Sequence, residues 1–437
     1  MTFTKSILLG SAAALAAVAG ASAADLPSKK AAPAQYVKIC DAAGAGYFYI
    51  PGSDTCLKIS GYAELDVVYN TLRNTYILNK THTGVTVGSA AASRNNNTFG
   101  VDTEIQLDAV TKTSWGNLHT YIAFEAENTL ASGAKVAYLD NAYLEFAGIT
   151  AGKHESFYHN IGGLYSGYQT PDYATNLLAY TASFGGGFSA TVSFEDAIGP
   201  GRSIGNDEAL VATSTLNGTR IPDIIGALRV KQGWGEASLI GGFHQTTFNE
   251  SVTPADHTAA GYGVMGYVSI NLPMLAAGDS IAFQGAWERN ALRFAGLGAS
   301  SVNGWQNTNV DVSYGKDAAG NLGVRSQTGY SLLAYFKHNW TPSVSSEIEG
   351  SYGVVRYSNN GLATANLATN NYSEWRIGHL LAWHPVKNME IGIDTAYQHY
   401  HNTPNAGQVP GVPAALLAGA KINENDFRVQ LRLKASF

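Results

Sequence analysis

Arg428, Gln430, Arg432 and Lys434 occupy every second position of a run whose other members are Phe427, Val429, Leu431 and Leu433. That spacing places the cations on one face of a strand and the apolar side chains on the other. Such a row breaks no covalent bond. Its chemistry is electrostatic: fixed positive charge that attracts anions and orients a dipole moving past it. Lys58 and Arg376 share the polar parity of their own segments. Carboxylates recur at the same period in Asp102 and Glu104, and a long connection adds Glu155 and Asp172 beside His154 and His159. Opposed rows of the two signs describe a constriction in an aqueous passage, with Arg376, Arg428 and Arg432 on the positive side. Asp102, Glu104, Glu155 and Asp172 supply the negative side, and Lys58 and Lys434 fall nearer the rim.

Catalytic chemistry finds less support. His244, His257, His379, His399 and His401 stand at no spacing that builds a nucleophile and its base. His399 and His401 share a strand face but lack a third metal ligand, so solvated rim residues describe them better. The glycine-rich runs are bounded by alternating segments rather than by a helix, which argues against a phosphate loop. No catalytic residue, metal or cofactor is expected. A net charge of −6 with no basic block argues against a nucleic-acid partner.

The elements that carry these residues are strands. After the N-terminus no apolar run approaches the ~20 residues of a membrane helix. Alternation instead recurs along the chain, for example at Leu57 to Tyr69, Phe99 to Ala109, Leu118 to Phe124 and Phe188 to Phe194. A soluble sandwich also alternates, but the connections here segregate by length. Tight turns, such as Ser114-Trp115-Gly116 and Gly233-Trp234-Gly235, alternate with long polar stretches near 71–97, 128–135, 154–176, 197–221, 245–259, 290–327, 356–372 and 401–423. A bilayer makes the two strand ends different, with short turns on the periplasmic side and long loops outside. The expected fold is all-β, an antiparallel transmembrane barrel of about sixteen strands. Its first and last strands must pair, because an open edge in hydrocarbon leaves backbone groups unsatisfied.

Residues 1–23 read as an export signal, with Lys5, an apolar stretch from Ile7 to Ala19 and the small residues Ala21-Ser22-Ala23. Residues 24–56 form a periplasmic preface, and 57–437 the barrel. The two cysteines, Cys40 and Cys56, both lie in the exported part, where an oxidising compartment favours one disulfide.

The segment Cys40-Asp41-Ala42-Ala43-Gly44-Ala45-Gly46-Tyr47-Phe48-Tyr49-Ile50-Pro51-Gly52 with Cys56 and Gly61-Tyr62 resembles the general porins of alphaproteobacteria, the Rhizobiales type. So do Ala24-Asp25-Leu26-Pro27, Asn176 to Ala182 and Phe184 to Ala190. The resemblance implies an outer-membrane, water-filled channel for passive diffusion of small hydrophilic solutes and ions. It also implies a homotrimer, a third long loop (His154 to about Asn176) folded into the lumen, and a terminal aromatic, Phe437, read by the outer-membrane assembly machinery. The loop of this chain carries few carboxylates for that family, which predicts a weaker transverse field. A solute-specific channel is the alternative, with Phe157, Tyr165, Tyr168 and Tyr173 stacking on sugar rings. An enzymatic or purely adhesive barrel ranks below it.

Overall fold

The computed structural model describes residues 38–71, 97–128, 135–159, 164, 174–197, 204–206, 215–216, 220–249, 256–297, 311–316, 322–358, 371–402 and 422–437. The expected export signal lies outside these residues.

Sixteen antiparallel strands close into a barrel. In chain order they are β1 (Thr55–Asn70), β2 (Asn97–Thr113), β3 (Gly116–Asn128), β4 (Lys135–Phe146), β5 (Ile149–Glu155), β6 (Ala174–Gly185), β7 (Phe188–Glu195) and β8 (Asp223–Gln232). There follow β9 (Gly235–Asn249), β10 (Asp256–Asn271), β11 (Ser280–Arg289), β12 (Leu322–Thr341), β13 (Val344–Tyr357), β14 (Tyr372–Trp383), β15 (Met389–Asn402) and β16 (Ile422–Ser436). Each pairs with its sequence neighbours, and β16 returns to β1 with Leu433 opposite Leu65 and Arg432 opposite Asp66. The wall thus has no open edge, which is what hydrocarbon demands of its backbone groups.

The seam is finished by the terminal residue. Phe437 exchanges backbone hydrogen bonds with Gly61 in both directions, at 3.0 and 3.3 Å. A Cβ on Gly61 would stand 2.8 Å from the Phe437 ring, so glycine makes room for the terminal aromatic.

Parity follows the sequence. On the outer face, Phe99, Val101, Ile105, Leu178, Phe184, Leu228, Leu332, Ile377 and Leu381 are exposed. Apolar surface on that scale suits a hydrocarbon solvent. Trp115, Trp234, Trp340 and Trp383 gather at the short-turn end and are exposed, as suits indole rings at a membrane–water boundary. Near the long-loop end, Tyr262 pairs with Trp287 and Trp375 with Tyr397, at centroid distances of 5.7 and 5.4 Å.

The short turns are tight for a conformational reason. At Ala147-Gly148 and Gly186-Gly187 both turn residues have positive φ (50° and 86°, 59° and 81°). That geometry matches the twist of the flanking strands. Cys40 and Cys56 are joined by a disulfide with a Cα separation of 6.0 Å. It ties the preceding loop to β1, beside Phe48–Tyr49, which pairs with Leu57 and Cys56. Tyr47 lies against the wall there, and burial together with a hydrogen bond to Asp108 pushes its hydroxyl up to about 12.

Candidate pore constriction

The barrel interior is unevenly filled, and two of the long connections account for it. The first leaves β5 at Glu155. Ser156 Oγ donates to Glu195 Oε2 (2.6 Å) and the Phe157 N–H to Glu195 Oε1 (2.9 Å). Glu195, the last residue of β7, is 1% exposed. Arg229 on β8 donates through Nη2 to the carbonyls of Phe157 (3.2 Å) and His159 (2.7 Å). A carboxylate and a guanidinium on neighbouring strands therefore clamp the loop's backbone inside the wall, through charge-assisted bonds worth more than neutral ones. The same loop packs Leu164 against Leu380 and Ala382, inward residues of β14. Since β14 stands six strands beyond β8 in the ring, the segment crosses the lumen.

The second connection follows β11. Asn290 takes a positive φ of 55° and turns the chain inward into a 3₁₀ turn, Leu292–Ala295, whose four residues are all buried. Glu288 Oε2 accepts from the Ala291 N–H (2.8 Å) and Gln327 Nε2 (2.9 Å), and Asp311 Oδ1 accepts from the Leu292 N–H (2.7 Å). Phe294 then stacks on Tyr158 of the crossing loop, with centroids 4.4 Å apart. Both rings sit in one apolar cluster with Ile225, Ile240, Met265 and Ala286 of the wall. Gly242 and Gly263 form the seat: a Cβ on either would stand 2.7 Å from Phe294. Gly242→Val is accordingly expected to lower stability by about 1–3 kcal/mol through overpacking. A thermal melt reads it, and an unchanged midpoint would remove Phe294 from that seat.

The inward face of β16 and β1–β4 is densely charged. Arg432 binds Asp66 through two hydrogen bonds (2.9 and 2.7 Å) and reaches Glu64 at 2.8 Å. Lys434 lies 3.2 Å from Glu64 and 3.5 Å above the Tyr62 ring. Arg428 donates to Gln430 at 2.7 Å. Arg376, on β14, is buried. Across β2 to β4, His119 bridges Asp108 and Glu145 at 2.8 Å each. Glu104 accepts from Gln106 and lies with Glu125 and Asp140 in a group whose nearest oxygens fall within 4.8 Å of one another. Glu64, Asp66 and Asp102 form a second such group.

Arg432 and Lys434 of the terminal strand are thus brought against the carboxylates of β1 rather than across the passage from them. Arg428, Arg432 and Lys434, with Lys58 and Lys112 toward the short-turn rim, share this face with Glu64, Asp66, Asp102, Glu104, Asp108, Glu125, Asp140 and Glu145, so among the described residues of the strip carboxylates outnumber cations. Glu155 ends β5 in an exposed position. Asp172, Tyr165, Tyr168 and Tyr173 lie outside the described residues. Phe157 is held by its backbone, and its ring lies 5.9 Å from that of His154. His154, Tyr143 and Tyr121 continue that series at 4.3 and 5.3 Å.

Two features escaped the sequence pattern. Asp140 has the parity of a lipid-facing residue, but a bulge leaves it unopposed between Asn141 and Leu139, and it joins Glu104 and Glu125. The inward turn after β11 left only an indirect trace, apolar or small residues at the polar-face positions Ile225, Ile240, Gly242, Gly263 and Met265.

Comparison with known proteins agrees with this geometry. The family model described as the Porin subfamily matches residues 25–430. Porin Omp2a of Brucella ovis is 34% identical over 247 residues, which span 53% of this chain and 67% of that protein. Porin Omp2b of Brucella suis is 34% identical over 248 residues, 53% of this chain and 63% of that protein. Among solved structures, the outer membrane channel DcaP of Acinetobacter baumannii shares the fold, with a TM-score of 0.59 at 14% identity. That match covers 89% of this chain and 99% of the DcaP chain. A closed sixteen-stranded wall and a family match over nearly its whole length together establish that this chain belongs to the Porin subfamily.

Proposed function

We propose that this outer-membrane porin passes small hydrophilic solutes and ions by passive diffusion along the strip between the crossing loop and strands β16 and β1–β4, and that it favours cations. The observation carrying the proposal is the loop itself. It is fastened at Glu195 and Arg229 on one wall and seats Leu164 on another, so it narrows the lumen. The Phe294 turn fills the side away from the strip. Solutes are therefore directed past the acidic residues, and a row of like charge selects the opposite ion. The matching family argues for a channel rather than an enzyme.

The chain works as a homotrimer in this reading, exported by a leader ending near Ala23 and assembled through its exposed Phe437. Stepwise conductance of the purified protein in a planar bilayer tests the channel. A barrel that inserts without conductance steps sinks it.

A second reading, a channel with a sugar preference, has one observation in its favour. The series Tyr121, Tyr143, His154 and Phe157 leads into the crossing loop as a set of stacking faces. Tyr121→Ala with Tyr143→Ala then slows sugar entry in liposome swelling by roughly ten-fold, one stacking contact's worth. If swelling rates follow solute size alone in both proteins, the general diffusion pore stands.

A further inference from the structure

The outer face of β10–β14 carries a feature that neither the lumen nor barrel closure requires. Arg289 on β11 lies opposite Thr328 on β12, and Thr328 opposite Arg356 on β13. Both arginines take the outward parity of their strands and are exposed. They stand in one row at the long-loop end, two strand spacings apart, roughly 10 Å. Like charges set side by side at a membrane boundary repel unless an anion lies between them. The outward positions of β11 to β16 carry no carboxylate, and on β10 the one at outward parity, Asp256, stands six residues beyond Tyr262, the residue paired with Arg289.

Directly below the arginines comes an aromatic belt, Trp287 opposite Tyr330, with Tyr352 6.1 Å from Tyr330. Below the belt the wall is hollowed into a groove of about 850 Å³ crossing all five strands. Phe283, Leu332, Trp375 and Ile377 are among its rims, and Gly266, paired with Gly285, forms part of its floor. A Cβ on Gly266 would meet nothing within 4 Å, so nothing inside the wall demands glycine there. The order from outside inward is cation, interfacial aromatic, hydrocarbon groove.

We propose that this face binds a phosphorylated, multi-acylated lipid of the outer leaflet, its phosphates held between Arg289 and Arg356 and its chains laid in the groove. Charge complementarity selects this occupant. A second copy docking through this same face would bring no carboxylate from its β11 to β16 and would bury two unpaired guanidiniums. A lipid phosphate satisfies them, and guanidinium matches phosphate in both geometry and charge. Four strand spacings, roughly 19 Å, leave width for several chains side by side.

Native mass spectrometry of the full chain tests this, with a bis-phosphorylated, multi-acylated disaccharide lipid titrated against its dephosphorylated form and against phosphatidylglycerol. The wild type should retain the bis-phosphorylated lipid best. Arg289→Glu with Arg356→Glu should weaken that retention by ~10-fold or more and leave the dephosphorylated form unaffected. Gly266→Leu, whose Cβ meets no atom of the wall, should weaken retention of both by occupying the groove, with single-channel conductance unchanged as evidence of an intact barrel. Equal retention of the bis-phosphorylated lipid by wild type and arginine variant overturns the proposal, and phosphatidylglycerol held as tightly overturns the commitment to a multi-acylated lipid. A changed oligomer mass with lipid retention intact assigns the face to subunit contact instead.

Discussion

Arg432→Ala is expected to destabilise the barrel by about 3 kcal/mol, more than its modest exposure suggests. The side chain lies across the seam where the last strand meets the first, holding Asp66 through two bonds and Glu64 through a third. Glu64 and Asp66 have only 5% and 7% of their side chains exposed. Removing the guanidinium leaves two adjacent carboxylates in a wall with little water to screen them. Lys434→Ala should cost far less, because Arg432 still holds Glu64 and the lysine is a third exposed. Thermal unfolding in detergent, followed by the loss of β circular dichroism, compares the two. Equal midpoints for wild type and Arg432→Ala would mean that the seam is held by its backbone ladder alone.

The second large effect lies in the crossing loop. Arg229→Ala removes two guanidinium-to-carbonyl bonds, and Glu195→Gln weakens two more, each at the start of the segment that narrows the lumen. Hydrogen bonds to charged groups contribute about 1.5–3 kcal/mol each. Losing even one raises the population of a displaced loop by roughly ten- to a hundred-fold. Most substitutions near a pore reduce flux, but this pair should increase it. The double variant should conduct more per channel and admit larger sugars in swelling assays. Unaltered size exclusion would show that the loop is positioned from the Leu164 side alone.

Much of this architecture was readable from alternation, because a membrane enforces it twice, once on the face in hydrocarbon and once on the face in water. The length contrast between turns and loops gave the strand order, and strict parity put Asp102 and Glu104, and Arg428 and Arg432, on the polar faces of their strands. Parity carries no information about partners. It could not show that Arg432 turns to Asp66 across the closing seam, since the two are 366 residues apart in sequence and meet only when the ring closes. Nor could it place Asp140, whose bulge reverses the alternation, or the Phe294 turn, whose loop has no period at all. The loop from His154 to about Asn176 was expected inside by family resemblance, and of its described residues Leu164 lies there, against Leu380.

The charge of the passage follows from those partners. Once Arg432 and Lys434 are held by Glu64 and Asp66, the carboxylates of β2 to β4 set the sign of the open strip. The zero-current potential of single channels in a KCl gradient measures that sign directly. The structure predicts a cation-selective potential that moves toward zero in the Asp102→Asn, Glu104→Gln, Glu125→Gln triple variant. An anion-selective potential, or a cation-selective one that the triple variant leaves unchanged, would contradict it.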